Sequence, residues 1–185
     1  LKPKILVLRE SGEIGVDELT WGFPAFEEPE SSSLFLRFVY EAYRKHLGQY
    51  FGAGITGFFS DADNRRVTPF CAAALGNRPH FPWSSDFAAR FLARFGYELE
   101  PHLPALLRGG GGQAAEDYWR LAGELYQQWF RNNYAWCHRH GVKYSFHTSD
   151  TGPFSRLECP RSSIFTEGDA LEFLASSDCP GTDHE

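Results

Sequence analysis

Hydrophobic positions along this chain switch from helical to extended spacing twice, in the same order. Leu34, Phe35, Phe38, Val39, Ala42, Tyr43 and Leu47 recur three and four residues apart, which predicts a helix over about 34–47. Ser31, Ser32 and Ser33 are its candidate caps and Gly48 its stop. The apolar run Ile55–Ser60 that follows reads as a buried strand. Tyr118, Leu121, Leu125, Trp129, Tyr134 and Trp136 or Cys137 then line a long helix over about 114–140, ended by Gly141, and Val142–Phe146 reads as the next strand. Each strand ends abruptly in chemistry-capable residues, Asp61-Ala62-Asp63 after the first and His147-Thr148-Ser149-Asp150 after the second. A buried strand that stops on a carboxylate or an imidazole is how α/β enzymes present side chains at the carboxyl edge of a sheet.

The remaining segments fill in the same rhythm. Lys4–Arg9 reads as a strand, Ser11-Gly12 as a turn and Trp21–Pro29 as an extended piece. Ser84 and Ser85 are read as caps of a helix carrying Phe87, Phe91, Leu92 and Phe95, with Gly96 as its stop; Leu103–Leu107 is a short helical turn, and a helix is expected over about 167–176. Residues 61–83 show no regular pattern, and a stretch that long inside a compact domain points to a functional loop. The four glycines Gly109–Gly112 lack a following Lys-Ser or Lys-Thr and read as a connector, not a phosphate loop.

Helix, strand, loop, helix, strand, loop, helix implies an α/β fold with parallel strands joined by crossover helices. A closed (β/α)8 barrel takes about 250 residues. The expectation is therefore an amino-terminal strand and extended segment over 1–30 and a partial (β/α)8 barrel over 31–185, about half the βα units. Half a barrel has unpaired strand edges and needs the remaining half from the same full-length chain. Methionine is absent, including at position 1, so the chain is expected to be a piece of a longer product.

Composition removes some partners. The 185 residues carry a net charge of -6, against a nucleic-acid surface, which needs clustered Lys and Arg. Arg65-Arg66 is the one prominent basic pair and sits beside Asp61 and Asp63. No apolar run approaches a membrane span. Cys71, Cys137, Cys159 and Cys179 lack zinc-type spacing; Cys137 reads as core, while Cys159 and Cys179 fall in loops and could pair.

Among candidate groups, Asp61 and Asp63 stand on alternate positions past a strand end. If the extended conformation persists they point the same way and can divide acid and base roles; the alternative is an Asx turn at a loop start. His147 could hold a substrate hydroxyl or assist proton transfer, or be structural. Asp150 and Glu158 are candidate second carboxylates, and Asp183-His184 follows the sharp Pro180-Gly181 entry. Trp21 and Trp83, preceded by Phe81-Pro82, lie outside the helix faces and could stack on a sugar ring or pack on the amino-terminal piece. His138 and His140 are two residues apart and so about 200° around a helix, poor for chelation and better suited to cations at a helix carboxyl end. A metal-dependent hydrolase with a site from Asp61, Asp63, His147 and Asp183 is the competing alternative; no HxH or HExxH pattern stands behind it, and no metal or cofactor is expected.

Several stretches together resemble bacterial glycoside hydrolases of family 106, the α-L-rhamnosidases, and related barrel glycosidases. They are Tyr50-Phe51-Gly52 leading into Ile55–Asp61, Pro82–Phe87, Phe95–Leu99, Leu103–Leu107, Asp117–Arg120 and Trp136–Gly141, ending at Phe146-His147; Gly168-Asp169 and Pro180–Asp183 extend the set. The resemblance implies a large, multidomain, extracytoplasmic enzyme that cleaves glycosidic bonds in a polysaccharide with two carboxylic acids in a (β/α)8 barrel. On that basis Asp61 or Asp63 is the acid/base, and His147, Trp83, Asp150, Glu158, Asp183 and His184 contact the carbohydrate. The chain departs from the pattern where related sequences carry Asp-Glu-Pro: Ala62 occupies the glutamate position. Either Asp63 substitutes, or the acid lies elsewhere, or this copy is a carbohydrate-binding remnant.

Overall fold

A computed structural model of the chain describes residues 2–18, 24–60, 80–148 and 169–182. Strand β1, Lys4–Leu8, buries Ile5, Leu6 and Val7 in succession, so both of its faces are covered. The turn at Ser11-Gly12 leads into β2, Ile14–Glu18, which pairs antiparallel with β1 from Lys4↔Glu18 to Leu8↔Ile14. With only Ile14 and Val16 apolar, β2 carries little periodic signal in the sequence.

The first helix starts earlier than its hydrophobic spacing predicts. It comprises α1, Pro29–Phe35, a π-helical segment, Leu36–Tyr40, and α2, Glu41–Leu47. Pro29 suits a first turn, where its missing N–H costs nothing. Ser31 and Ser32 are therefore buried inside the helix and do not cap it; Ser32 Oγ accepts a hydrogen bond from Asn132 Nδ2 at 3.0 Å. Glu28 holds the cap position, but its carboxylate is committed elsewhere.

Strand β3, Gly57–Ser60, follows, and β4, His80–Trp83, lies within the stretch expected to be irregular. Strand β4 pairs antiparallel with β1, from Lys4↔Trp83 to Val7↔His80, giving a first sheet ordered β2-β1-β4. As an edge strand it tolerates Pro82, the residue that hides its pattern. Helix α3, Phe87–Phe95, ends at Gly96 as predicted, but Asp86 holds its cap position while the Ser84 and Ser85 hydroxyls donate to Asp86 and Glu28, and a 3-10 turn, Glu100–His102, runs into α4, Leu103–Leu106. Helix α5, Gln113–Arg139, has 27 residues and spans about 40 Å.

Gly141, at φ 71°, turns the chain directly into β5, Lys143–Thr148. Helix α6, Ala170–Leu174, is capped by the Asp169 carboxylate, which accepts the N–H groups of Leu171 and Glu172 at 2.9 and 3.1 Å. It precedes β6, Gly181–Thr182. Strands β3, β5 and β6 form a second sheet, parallel throughout, with Ser60↔Phe146 and His147↔Gly181 in register. The fold is mixed α/β. Parallel pairing is confined to this second sheet, because β4 returns to β1 and does not extend the β3 sheet, and no closed barrel is formed among the described residues.

Two apolar cores meet along α5. Phe87, Phe91, Leu99, Leu103, Leu106, Tyr118 and Leu121 fill the first, against β1 and β4. Phe26, Tyr40, Tyr126, Trp129, Phe130, Trp136, Tyr144, Phe146 and Phe173 fill the second, beneath the parallel sheet. Among the described residues Cys137 is a buried free thiol within the second core and Cys179 an exposed one, while Cys71 and Cys159, the expected partner of Cys179, lie outside them.

Glu28 joins the amino-terminal strand to the rest. Its carboxylate accepts Lys4 Nζ at 2.9 Å and the Ser85 N–H and hydroxyl at 2.8 Å each. Burial pushes its pKa up, but these donors and the lysine charge outweigh burial and hold it below the ordinary 4.5. Because the folded value is depressed, the stabilisation is fully present above 4.5 and is lost as pH falls through the lowered value. Glu28→Gln is expected to lower unfolding free energy at pH 7 by about 1.5–3 kcal/mol, the usual worth of hydrogen bonds to a charged group. In urea titrations the gap between variant and parent should close on acidification below that range.

A second constraint is steric. A Cβ added to Gly57 would stand 2.8 Å from the Lys143 carbonyl oxygen on the neighbouring strand. Gly57→Ala must therefore push β3 from β5, with an expected cost of about 1–3 kcal/mol in thermal or urea unfolding.

Candidate active-site edge

The parallel sheet has two different ends. At its amino end, helix termini are tied down. His138 Nε2 meets Asp178 Oδ2 at 2.8 Å, the Tyr144 N–H donates to the same carboxylate at 2.9 Å, and the Asp178 N–H donates to the Tyr144 carbonyl at 2.8 Å. Partial burial pushes the Asp178 carboxyl up, but the Tyr144 N–H and His138 more than offset it and leave it below its ordinary range. Nearby, Trp136 Nε1 donates to Glu41 at 2.8 Å and Arg44 to the same carboxylate at 2.7 Å, with His140 at 3.7 Å. Burial and the adjacent Arg44 lower the His140 pKa against the pull of Glu41, which favours the neutral ring over the cation expected at this helix end. His138 of α5 and His140 just past its end thus act in structural ties.

At the carboxyl end, β3 stops at Ser60, paired with Phe146, and His147 is the next residue of β5, paired with Gly181 of β6. Three parallel strand ends therefore lie side by side, and Asp61, Ser149 and Asp183 follow them in the chain. Asp61, Asp63, Asp150, Glu158, Asp183 and His184 lie outside the described residues, as do Trp21 and Arg65-Arg66. His147 is half-buried, its ring near-parallel to that of Phe59 at 27° with centroids 5.7 Å apart. Trp83 belongs to the other sheet, where its ring stacks on Phe87 at 4.8 Å and joins the first core.

Beneath this edge lies a polar chain that no sequence motif marks. Ser60 Oγ and Tyr144 Oη are 2.8 Å apart, and Asn133 Nδ2 donates to Tyr144 Oη at 3.3 Å. Asn133 is fully buried in α5, and its Oδ1 accepts no hydrogen bond among the described residues. The signal available in the sequence is an asparagine on the apolar side of a helix, beside a strand whose tyrosine faces that helix. The chain ties the end of β3 to β5 and to α5 through side-chain hydrogen bonds.

A cavity of about 820 Å³ lies elsewhere, among α1, α3 and α5, lined in part by Phe26, Glu28, Arg90, Arg94, Trp129 and Arg131. Its arginines pair locally, Arg90 with Asp86, Arg94 with Glu124 and Arg131 with Glu172, so its charge is largely internal. Among the described residues no group of three or more His, Cys, Asp or Glu side chains could hold a metal ion, and no helix is long and apolar enough to cross a membrane.

The Ser60–Tyr144 bond predicts a measurable coupling. Ser60→Ala and Tyr144→Phe should each cost about 0.5–1.5 kcal/mol, and the double variant should lose at least about 0.5 kcal/mol less than their sum in urea unfolding. Compared with known proteins, the chain matches no family model, no curated protein and no solved structure.

Proposed function

We propose that this chain is a section of a (β/α)8 barrel from a glycoside hydrolase-like protein, one that cleaves a glycosidic bond in a polysaccharide by carboxylate acid/base chemistry. One observation carries the reading: His147 lies one residue beyond the paired ends of β3 and β5 and directly beside β6, so the chain leaves three adjacent parallel strands at one edge. Active sites of barrel enzymes are built from the segments that follow such strand ends. Asp61 or Asp63, after β3, acts as general acid or base, and His147 holds a sugar hydroxyl. Asp150, Glu158, Asp183 and His184 complete the carbohydrate contacts, and the remaining βα units of the same polypeptide close the barrel.

Ala62 favours a second reading, a carbohydrate-binding section without catalysis, because it replaces a carboxylate where the resembling hydrolases carry one. Hydrolysis of a panel of 4-nitrophenyl glycosides, aryl α-L-rhamnosides included, separates the two. The catalytic reading predicts turnover by the full-length protein and a loss of roughly 10²–10⁴ in kcat for Asp61→Asn or Asp63→Asn, the usual range for a general acid or base. Turnover unchanged in both variants sinks the assignment of these aspartates. Binding of free sugar without turnover selects the second reading.

A further inference from the structure

We infer that His138 is a proton-operated clasp: its charge decides how firmly β6, the third strand of the parallel sheet, is held beside β5. Every group involved belongs to the amino end of the sheet, and none takes part in the carbohydrate reading above.

Strand β6 has two residues, and its own pairing is short: His147↔Gly181 and Thr148↔Thr182. It is seated from upstream. The Asp178 N–H donates to the Tyr144 carbonyl at 2.8 Å, the Tyr144 N–H returns a bond to the Asp178 carboxylate at 2.9 Å, and Ser145 Oγ donates to the Cys179 carbonyl at 2.7 Å. Helix α5 completes the junction, with His138 Nε2 lying 2.8 and 3.1 Å from the two Asp178 oxygens. Three elements thus meet on one carboxylate: α5, β5 and the connection from α6 to β6.

Among these donors only the imidazole belongs to a side-chain type that changes charge between about pH 5 and 8. A charged ring carries a hydrogen on both nitrogens, so Nε2 always donates; a neutral ring has one hydrogen to place and no charge to offer the carboxylate. Burial raises the Asp178 carboxyl, but the Tyr144 N–H, His138 and Lys143 outweigh it and hold it below its ordinary 3.8, so it stays ionised throughout that range. Because the folded value is depressed, the aspartate's contribution is present above 3.8 and lost as pH falls through the lowered value. The clasp therefore opens on the acid side with the aspartate and loosens on the alkaline side with the imidazole. Its other neighbours add no competing charge change. The Tyr134 ring lies against the imidazole with centroids 4.0 Å apart, and burial, then Asp178, push the Cys137 thiol up to about 12, so it stays neutral. His140, two residues on, is placed differently: burial, Arg44 and Arg139 disfavour its charge against the pull of Glu41.

Amide hydrogen exchange of the full chain, followed by NMR at about pH 5 and pH 8 with each rate divided by that of an unfolded chain, tests the clasp. The Tyr144 and Asp178 amides are expected to be roughly two- to fivefold better protected at the lower pH, the worth of a partly exposed ion pair. Amides of β1 serve as the reference. His138→Gln, which is never charged, and Asp178→Asn should each abolish the difference, while His140→Gln leaves it in place. Equal protection at the two pH values overturns the clasp, as does a difference that persists in His138→Gln. A change of the same size in β1 assigns the effect to overall stability and overturns it too.

Discussion

Helix α5 has to serve two sheets at once, and its length follows from that. At 27 residues it is about twice the length of an average helix. Its first half, through Leu125, supplies Tyr118, Leu121 and Ala122 to the core against β1 and β4. From Tyr126 onward its apolar side packs under the parallel sheet through Trp129, Phe130 and Trp136. A helix that is apolar all along one side could slide or rotate. Buried polar residues set its register: Asp117 accepts Tyr97 Oη at 2.9 Å, Gln127 donates to the Asp169 carbonyl at 3.0 Å, and Asn133 donates to Tyr144. Burial, and then the Asp117 contact, push the Tyr97 phenol up to about 12, so this bond stays intact across the neutral range. Because Gly141 ends the helix one turn past Cys137 and β5 starts at once, the rotation of α5 also decides which face of β5 each side chain takes.

The two ends of the parallel sheet divide labour for a physical reason. Ion pairs and hydrogen bonds at the amino end, through Asp178, Glu41, His138 and Trp136, fasten helix termini to strand starts. At the carboxyl end the ties are fewer and run between side chains, from Ser60 through Tyr144 to Asn133, whose Oδ1 has no donor among the described residues. Glu28 does the equivalent fastening for the first sheet, holding Lys4 of β1 and Ser85 before α3 on one carboxylate.

What the sequence disclosed divides along the same physical lines. Strand β1, helices α3 and α5 and the strand before His147 were legible because each carries a full hydrophobic period and a glycine or turn at its end. Strand β2 was not, having two apolar side chains, and β4 was masked by Pro82 and by pairing with a strand more than 70 residues away. The serines before the first helix looked like caps because cap chemistry is local. The decision was tertiary, since Pro29 could start the helix and Asn132 engaged the Ser32 hydroxyl. At the candidate edge, chain order sufficed to point at His147, but a consecutive Phe58-Phe59 pair reads as wholly buried until the register shows one face open. Trp83 looked available because no helical period claimed it; the partner that covers it, Phe87, lies only four residues on, across the turn from β4 into α3.

The spacing of the strand ends bears on how carboxylate chemistry could operate despite Ala62. Neighbouring strands in a sheet lie about 4.8 Å apart. Retaining glycosidases hold their two carboxyl groups about 5–5.5 Å apart, and inverting ones about 6.5–9.5 Å. In the order β3-β5-β6, chain exits from β3 and β5 are one spacing apart, and those from β3 and β6 are two, about 10 Å. On the proposed reading, a partner for the carboxylate after β3 need not come from position 62. On that reading, a partner after β5 leaves the sheet one strand spacing from the β3 exit, of the order of a retaining pair, and one after β6 leaves it two spacings away, of the order of an inverting pair. If the glycosidase reading holds, the strand that supplies the second acid also sets its distance from the first.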